Sequence, residues 1–522
     1  MVYRSLYSDV AIPEMDLTKF VFQHSSAYPD RPALIEGSTK RSYNYQQLYG
    51  AICLAATNLA RRGFKQGEVF AIYSPNLPEY AIAFHAVAML GGIITTINPL
   101  YTSEELAYQL KDSGAAYLLT VPPFLDKAVE AAGNSSVKEI MVFGEAPGAL
   151  SFSELLKGEI DLPRVSINPR EDLVMLPYSS GTTGLAKGVM LTHYNVIANL
   201  LQAEQFIDEK VETIIAPLPL FHVLGLTLVM NGGLYLGRTI VTMMRFDLEQ
   251  FLQLCQDYQI TEVTLVPPIV LALSKVPVVD KYDLSKLTRI GCGAAPLGKE
   301  VEQALEGRLN CKVVQGYGMT EATAAITLSP YGKEKSGSVG VPTPNTEVKI
   351  VDPASGKELG PFEQGELWAR GPQVMRGYLN QPEVTARTLD EDGWLHTGDV
   401  GYVDEDGYFY IVDRVKELIK YKAMQVAPAE LEALLLSHTA VADVAVIGVA
   451  DEEAGEIPKA FVVLKGQVTP EELISFVSEQ VAPHKRVRQL EVVDQIPKSP
   501  SGKILRRVLV DRERQKASSS AV

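Results

Sequence analysis

Helical and strand-like runs of apolar residues alternate from Leu17 to about Val412. Residues 45–62 predict an amphipathic helix and residues 69–74 a strand; residues 80–90 predict a second helix and 92–98 a second strand. This alternation predicts an α/β architecture with largely parallel sheets. Residues 261–267 and 288–293 predict short buried strands ending in turns, where open α/β sheets place ligands. The longest apolar stretch, 81–97, contains His85 and the pair Gly91-Gly92. It predicts a buried helix running into a buried strand, with no membrane span.

After Trp394 the pattern changes. Residues 401–412 alternate as a β-hairpin with Asp406-Gly407 at its turn. A basic segment (Lys416, Lys420, Lys422) follows, then a predicted helix at 429–437, strands at 442–449 and 460–464, and a helix at 470–480. These suffice for a small α+β domain. The expected division is 1–412 and 413–522, joined at Asp413 with almost no linker and ending in a frayed tail from Ala517.

At 522 residues the chain exceeds what one core usually holds, which agrees with two domains. Its net charge of −15 argues against a general nucleic-acid or anionic-membrane surface but leaves room for a local basic phosphate pocket. Cys53, Cys255, Cys292 and Cys311 lie too far apart for a zinc site or a disulfide framework. With no basic-then-apolar leader in residues 1–19 and no peroxisomal tripeptide in the final Ser-Ser-Ala-Val, the cytoplasm is the expected compartment.

The most informative segment runs from Tyr178 to Gly188, between apolar strands at 173–176 and 189–191. It holds the hydroxyls of Ser179, Ser180, Thr182 and Thr183, glycines including Gly181, and the cation Lys187. Glycines let the backbone approach an anion, the hydroxyls add donors and Lys187 adds charge, so polyphosphate is the expected ligand. Lys187 precedes Gly188, not Ser or Thr, so this is not a Walker loop.

Four more stretches follow in order: Gln315-Gly-Tyr-Gly-Met-Thr-Glu321, Gly393-Trp-Leu-His-Thr-Gly-Asp399, Ile411-Val-Asp-Arg-Val-Lys-Glu-Leu-Ile-Lys420 and Pro497-Lys-Ser-Pro-Ser-Gly-Lys503. With the phosphate loop they resemble the adenylate-forming superfamily of acyl-CoA synthetases, luciferases and peptide-synthetase adenylation domains. The resemblance spans nearly the whole chain and is nearest to 4-coumarate–CoA ligase-like enzymes. It implies a large N-terminal domain of packed α/β sheets with a β-barrel-like part, and a small mobile C-terminal domain hinged at Asp413. The implied activity joins a carboxylic acid to the α-phosphate of ATP, releases pyrophosphate and transfers the acyl group to CoA.

The same resemblance assigns roles. Lys503 reaches the α-phosphate and the carboxylate across the domain interface, with Lys420 and Gln425 also important for adenylation. Thr320 bonds the α-phosphate, Tyr317 stacks on adenine, and Ala294, Gln315 and Gly316 join them in the nucleotide site. Glu321 holds Mg²⁺. Asp399 accepts the ribose hydroxyls, with Arg414 and Lys416 near AMP. His222 guards an acid pocket that includes Leu224, Gly291, Gly318, Thr323 and Ala324. Arg245, Lys422 and Ala423 border the CoA channel.

Several positions depart from the family pattern. Ala186 stands where relatives carry Pro, and Trp368 and Ala369 occupy a signature that usually contains Cys. Ala423 stands where relatives have the Gly that lines the pantetheine passage, so an amine acceptor, giving an amide, is the alternative to CoA. Leu224 replaces the Tyr that contacts the phenol of 4-coumarate, so the acid pocket is expected to be more apolar at its far end, and a 4-hydroxycinnamate to lose its advantage over an unsubstituted aryl or medium-chain acid.

Overall fold

Val69–Tyr73 is buried along its whole length, as a strand covered on both faces must be. In the computed structural model, which describes residues 1–179, 186–208, 210–422, 424–451, 453–499 and 502–519, it lies at the centre of the largest sheet. From Leu173–Met175 through Ile93–Ile97, Val69–Tyr73, Ala115–Thr120 and Glu139–Val142 to Leu150–Ser151 this sheet is parallel. Tyr178–Ser179 and Lys187–Thr192 extend it antiparallel, so the phosphate-loop sequence joins two sheet strands. The preceding helix Tyr45–Arg61 starts from a capping box in which Asn44 and Gln47 exchange side-chain and backbone bonds.

Two further sheets lie in the same domain. Thr213–Ala216, Thr239–Thr242 and Pro32–Glu36 run parallel, with Ser42–Asn44 antiparallel at the edge. Glu262–Leu265, Arg289–Cys292 and Lys312–Gln315 form a three-stranded parallel sheet. The barrel-like part is a five-stranded antiparallel sheet with Val2–Arg4 and Phe409–Arg414 at its edges and Leu395–Val403 beside the latter. The apolar stretch at 81–97 is the buried helix Pro78–Met89 and the strand Ile93–Ile97. No helix among the described residues is long and apolar enough to cross a membrane.

The C-terminal residues have a core of their own, with Ile419, Leu431, Val444, Val462 and Leu473 at its centre. The sheet there orders Met424–Val426, Ile419–Tyr421, Gly455–Leu464 and Val441–Asp451, and Gln489–Val492 pairs Gly455–Leu464 in parallel. Asp413 is buried, and its carboxylate accepts from the N–H of Ala429 at 2.9 Å, capping the helix Pro428–Ser437. The helix Arg506–Ser519 has little apolar periodicity and was not predicted from the pattern. Leu509 holds it to the sheet through Ala445 and Phe461.

Candidate active site

A cleft of about 1070 Å³ opens between the two domains, lined from the N-terminal side by Ala294, Gly316, Tyr317, Gly318, Asp399 and Arg414 and from the other by Lys503. Ala294 and Gly316 to Gly318 follow strand ends, whereas Asp399 lies within the strand Leu395–Val403. Ala294 follows Arg289–Cys292 in a left-handed conformation (φ 70°), and Gly316 follows Lys312–Gln315. At Gly318 a Cβ would overlap the carbonyl of Ala324, so the tight chain crossing there requires glycine.

Asp399 is the best-organised group. Its Oδ2 accepts from the Tyr317 hydroxyl at 2.7 Å, and its Oδ1 lies 3.2 Å from Nε of Arg414. Burial pushes the carboxyl pKa up and Arg414 opposes it; burial likewise drives the Tyr317 phenol well above its ordinary value. Glu366 holds the turn in place by accepting from the N–H of Gly398 at 2.8 Å.

Lys503 arrives on a short loop closed by its own backbone. Its carbonyl accepts from the Ser499 N–H at 2.8 Å, its N–H donates to Ser499 Oγ at 3.1 Å, and Gly502 takes a left-handed φ of 80°. Burial, aided by the charge of Arg414 and opposed by Glu417 and Asp399, lowers the Lys503 pKa to about 8. The loop is anchored by Arg506, which bonds Glu417 and, at 2.7 Å, Glu432, both on segments of the C-terminal domain.

Glu321 is buried, and its Oε1 accepts from Ser179 Oγ at 2.9 Å and from the Tyr378 hydroxyl at 2.8 Å. The Lys187 ammonium sits over the Tyr378 ring, 4.8 Å from its centre. Tyr378 thus links the phosphate-loop lysine to Glu321. It was missed from the sequence because no local pattern marks a tyrosine as the partner of a residue 57 positions away. No group of three or more potential ligands gathers around a metal position among the described residues. One carboxylate beside a phosphate-binding loop fits Mg²⁺, which shares its coordination between protein carboxylates, phosphates and water.

The predicted acid pocket is a smaller cavity of about 200 Å³ that shares Ala294, Tyr317 and Gly318 with the cleft. His222, Leu224, Gly291 and Ala324 line it. Leu224 opens the π-helix Leu224–Asn231, a form frequent at functional sites. Nδ1 of His222 accepts from the Leu224 N–H at 3.3 Å, so a proton on the neutral ring sits at Nε2. Burial, aided by the charge of Lys503, lowers the His222 pKa to about 4. The cavity walls are mostly aliphatic, and the lining also includes Arg238, Glu262 and Arg289, because sheet register places Glu262 directly beside Arg289.

Other predicted residues lie elsewhere. Thr323 is fully buried, and its hydroxyl donates to the Gln373 carbonyl at 2.6 Å, outside the cavity lining. The Gln315 amide is taken up by the backbone of Leu297, at 3.0 and 3.1 Å, and by Glu302. Thr320 begins the short turn Thr320–Ala322 and is half-buried. Lys420 and Gln425 face each other across the hairpin of Ile419–Tyr421 and Met424–Val426. Both are exposed, as are Lys416, Lys422 and Arg245, and none lines the cleft with Lys503. Lys422 holds a left-handed φ of 45°. Ser180, Gly181, Thr182, Thr183 and Ala423 lie outside the described residues.

Two family models match the chain: AMP-binding enzyme over residues 21–379 and AMP-binding enzyme C-terminal domain over residues 430–503. The chain belongs to the AMP-binding enzyme family. Within this family it is 44% identical to 4-coumarate–CoA ligase 1 of Petroselinum crispum, over 98% of this chain and 96% of that one. Among solved structures of AMP-binding enzymes it resembles the anthranilate CoA ligase AuaEII in complex with anthranoyl-AMP, at a TM-score of 0.90 and 26% identity over 98% and 99% of the two chains. It also resembles the amide bond synthetase McbA of Marinactinospora thermotolerans, at 0.85 and 27% over 95% and 99%.

Proposed function

We propose that this AMP-binding enzyme activates a carboxylic acid with ATP to an acyl-adenylate and then transfers the acyl group to CoA. The observation that carries this reading is the convergence of Tyr317, Asp399, Arg414 and Lys503 on one cleft that meets a second, mostly aliphatic cavity at Ala294 and Gly318. In the first step a carboxylate oxygen attacks the α-phosphorus, and the bond to the departing pyrophosphate breaks. Both reactants are anions, so the protein's contribution is positioning and positive charge. Lys503 supplies that charge between the two anions, and Asp399 with Arg414 orients the ribose. Neutral His222 donates from Nε2 toward the acid. Lys187 and the 180–183 segment hold the outer phosphates.

Magnesium belongs to the same proposal: Glu321 would hold it, and the ion would offset phosphate charge during the transfer. We further infer a domain boundary and hinge at Asp413, supported by its cap on the Pro428–Ser437 helix. Lys420, Gln425 and Lys422 share an exposed face away from Lys503, which supports a rotation presenting that face to CoA, with Arg245 on the entry path. Four free, buried cysteines support a reducing cytoplasm.

CoA is favoured over an amine because the 44%-identical relatives are CoA ligases, whereas the amide synthetase is a 27% match. Incubation with ATP, Mg²⁺ and an acid panel, followed by CoA or amines, separates the two by mass spectrometry. Thioester supports the reading; amide alone redirects the second step, and absence of adenylate with every acid defeats the first.

A further inference from the structure

The helix Pro267–Lys275 belongs to the N-terminal domain, and both of its ends touch the C-terminal one. It opens with Pro267 and Pro268 in its first turn, where the missing N–H leaves no helical bond unmade. Pro268 supports the loop of Lys503: a Cβ built on Gly502 would come within 2.8 Å of Pro268 Cγ, so glycine is what lets the loop settle there. At the rise of a helix the other end lies about 12 Å away. There the ammonium of Lys275 donates to the carbonyls of Leu436 at 2.9 Å and Val441 at 3.4 Å.

Leu436 lies in the last turn of the helix Pro428–Ser437. The last four carbonyls of a helix have no partner within it and carry the negative end of its dipole, so a cation complements them. This helix is therefore held at both ends, by Asp413 through the Ala429 N–H at its start and by Lys275 at its finish. A third contact lies beside it. Gly298, just before the helix Lys299–Leu309, faces Ala433 so closely that a Cβ on it would sit 3.0 Å from the Ala433 Cβ. Gly502 on Pro268 and Ala433 on Gly298 are contacts of small apolar groups, which set how near the domains come. Lys275 adds direction, because hydrogen bonds weaken steeply when their geometry turns.

Lys465 works against that contact. This exposed lysine follows the strand Gly455–Leu464 and acts on Lys275 as a like charge. Burial, aided by Lys465, lowers the Lys275 pKa to about 8. Attraction to two carbonyls and repulsion between two ammonium groups thus meet at one point, which keeps the contact reversible. A turn about Asp413 carries the far end of the Pro428–Ser437 helix away from Lys275, and Lys503 out of the cleft with it. We propose that Lys275 is a positioning residue for adenylate formation: it holds the far end of that helix and thereby keeps Lys503 in the cleft. The inference rests on the acid-activating reading and its hinge, and names the N-terminal group that fixes the orientation used in the first step.

The test separates the two half-reactions in the full-length chain, with cinnamate and octanoate as the acids. Lys275→Met keeps the apolar stem and loses both bonds. It should lower kcat for acid-dependent ATP–pyrophosphate exchange on the order of 10-fold, as expected for hydrogen bonds from a charged group. The KM for ATP should change little, because Tyr317 and Asp399 stand in the N-terminal domain. Thioester formation from synthetic cinnamoyl-adenylate and CoA should proceed undiminished, whereas a damaged fold would lose both steps. Lys275→Arg keeps donors for the carbonyls and should recover most of the exchange rate. Lys465→Gln removes the repulsion and should not slow exchange. If Lys275→Met does not fold, Lys275→Gln takes its place with the same split expected. Exchange unchanged in these Lys275 variants, or both steps falling together in a chain that melts as the wild type does, overturns the inference and leaves acid activation intact. No exchange by the wild-type chain with any acid overturns the activation reading and this inference with it.

Discussion

The Tyr317 hydroxyl donates to Oδ2 of Asp399 at 2.7 Å, binding the ring at the cleft mouth and the carboxylate in its wall into one unit across 82 residues. Asp399 also faces Arg414 on the neighbouring strand of the same sheet, so the carboxylate is held from two sides in the cleft wall. Asp399→Asn should raise the KM for ATP on the order of 10- to 100-fold, the worth of hydrogen bonds to a charged acceptor. Tyr317→Phe, losing one bond, should cost about 3- to 10-fold. Titrating ATP in the exchange assay reads both, and an unchanged KM in the Asn variant would remove Asp399 from nucleotide binding.

Lys503 must be charged to act between two anions, and its pKa in the free enzyme lies at about 8. The kcat/KM for adenylation should therefore fall as pH rises through about 8. Lys503→Ala should lower adenylation by roughly two to three orders of magnitude at pH 7. Lys503→Arg, which cannot lose its proton in this range, should abolish the alkaline fall. A fall retained at the same pH in the Arg variant would assign it to another group.

Two buried histidines, His85 and His193, and the half-buried His222 make the fold sensitive to acid. Burial lowers His85 to about 3 and His193 and His222 to about 4, against an ordinary value of 6.5. Nδ1 of His193 accepts from the Leu17 N–H at 3.0 Å, which protonation would break. Stability rises with pH wherever the unfolded chain binds more protons. These groups should contribute fully above pH 6.5 and lose that contribution as pH falls toward 4. Urea midpoints at pH 7.5, 6 and 5 check this, and a midpoint flat across the three would contradict it.

Arg506 is nearly buried between Glu417 and Glu432. Burial raises the pKa of Glu432, and Arg506 opposes that rise. Arg506→Met would strand two carboxylates and should destabilise the C-terminal domain by about 3–5 kcal/mol. Denaturation monitored by peptide-resolved hydrogen exchange locates the loss, and protection unchanged over residues 413–519 would show the cluster to be dispensable.

The strands around Val69–Tyr73, the hairpin at Asp406-Gly407 and the helix Pro428–Ser437 were legible in the chain because periodicity and turn chemistry act over a few residues. The phosphate loop, the Thr-Gly-Asp399 turn and the Lys503 loop were legible for the same reason, since each is contiguous and compositionally unusual. Those local signals determined the two-domain α/β plan and the chemistry of ATP-dependent acid activation. The tertiary structure alone decided that Tyr378 joins Lys187 to Glu321, that Thr323 turns away from the acid cavity, and that Lys420 and Gln425 share a face apart from Lys503. It also decided that Glu262 and Arg289 line the acid cavity. A strand's own pattern reports which side chains share a face; only its register with the next strand, set by packing over the whole sheet, brings a glutamate opposite an arginine.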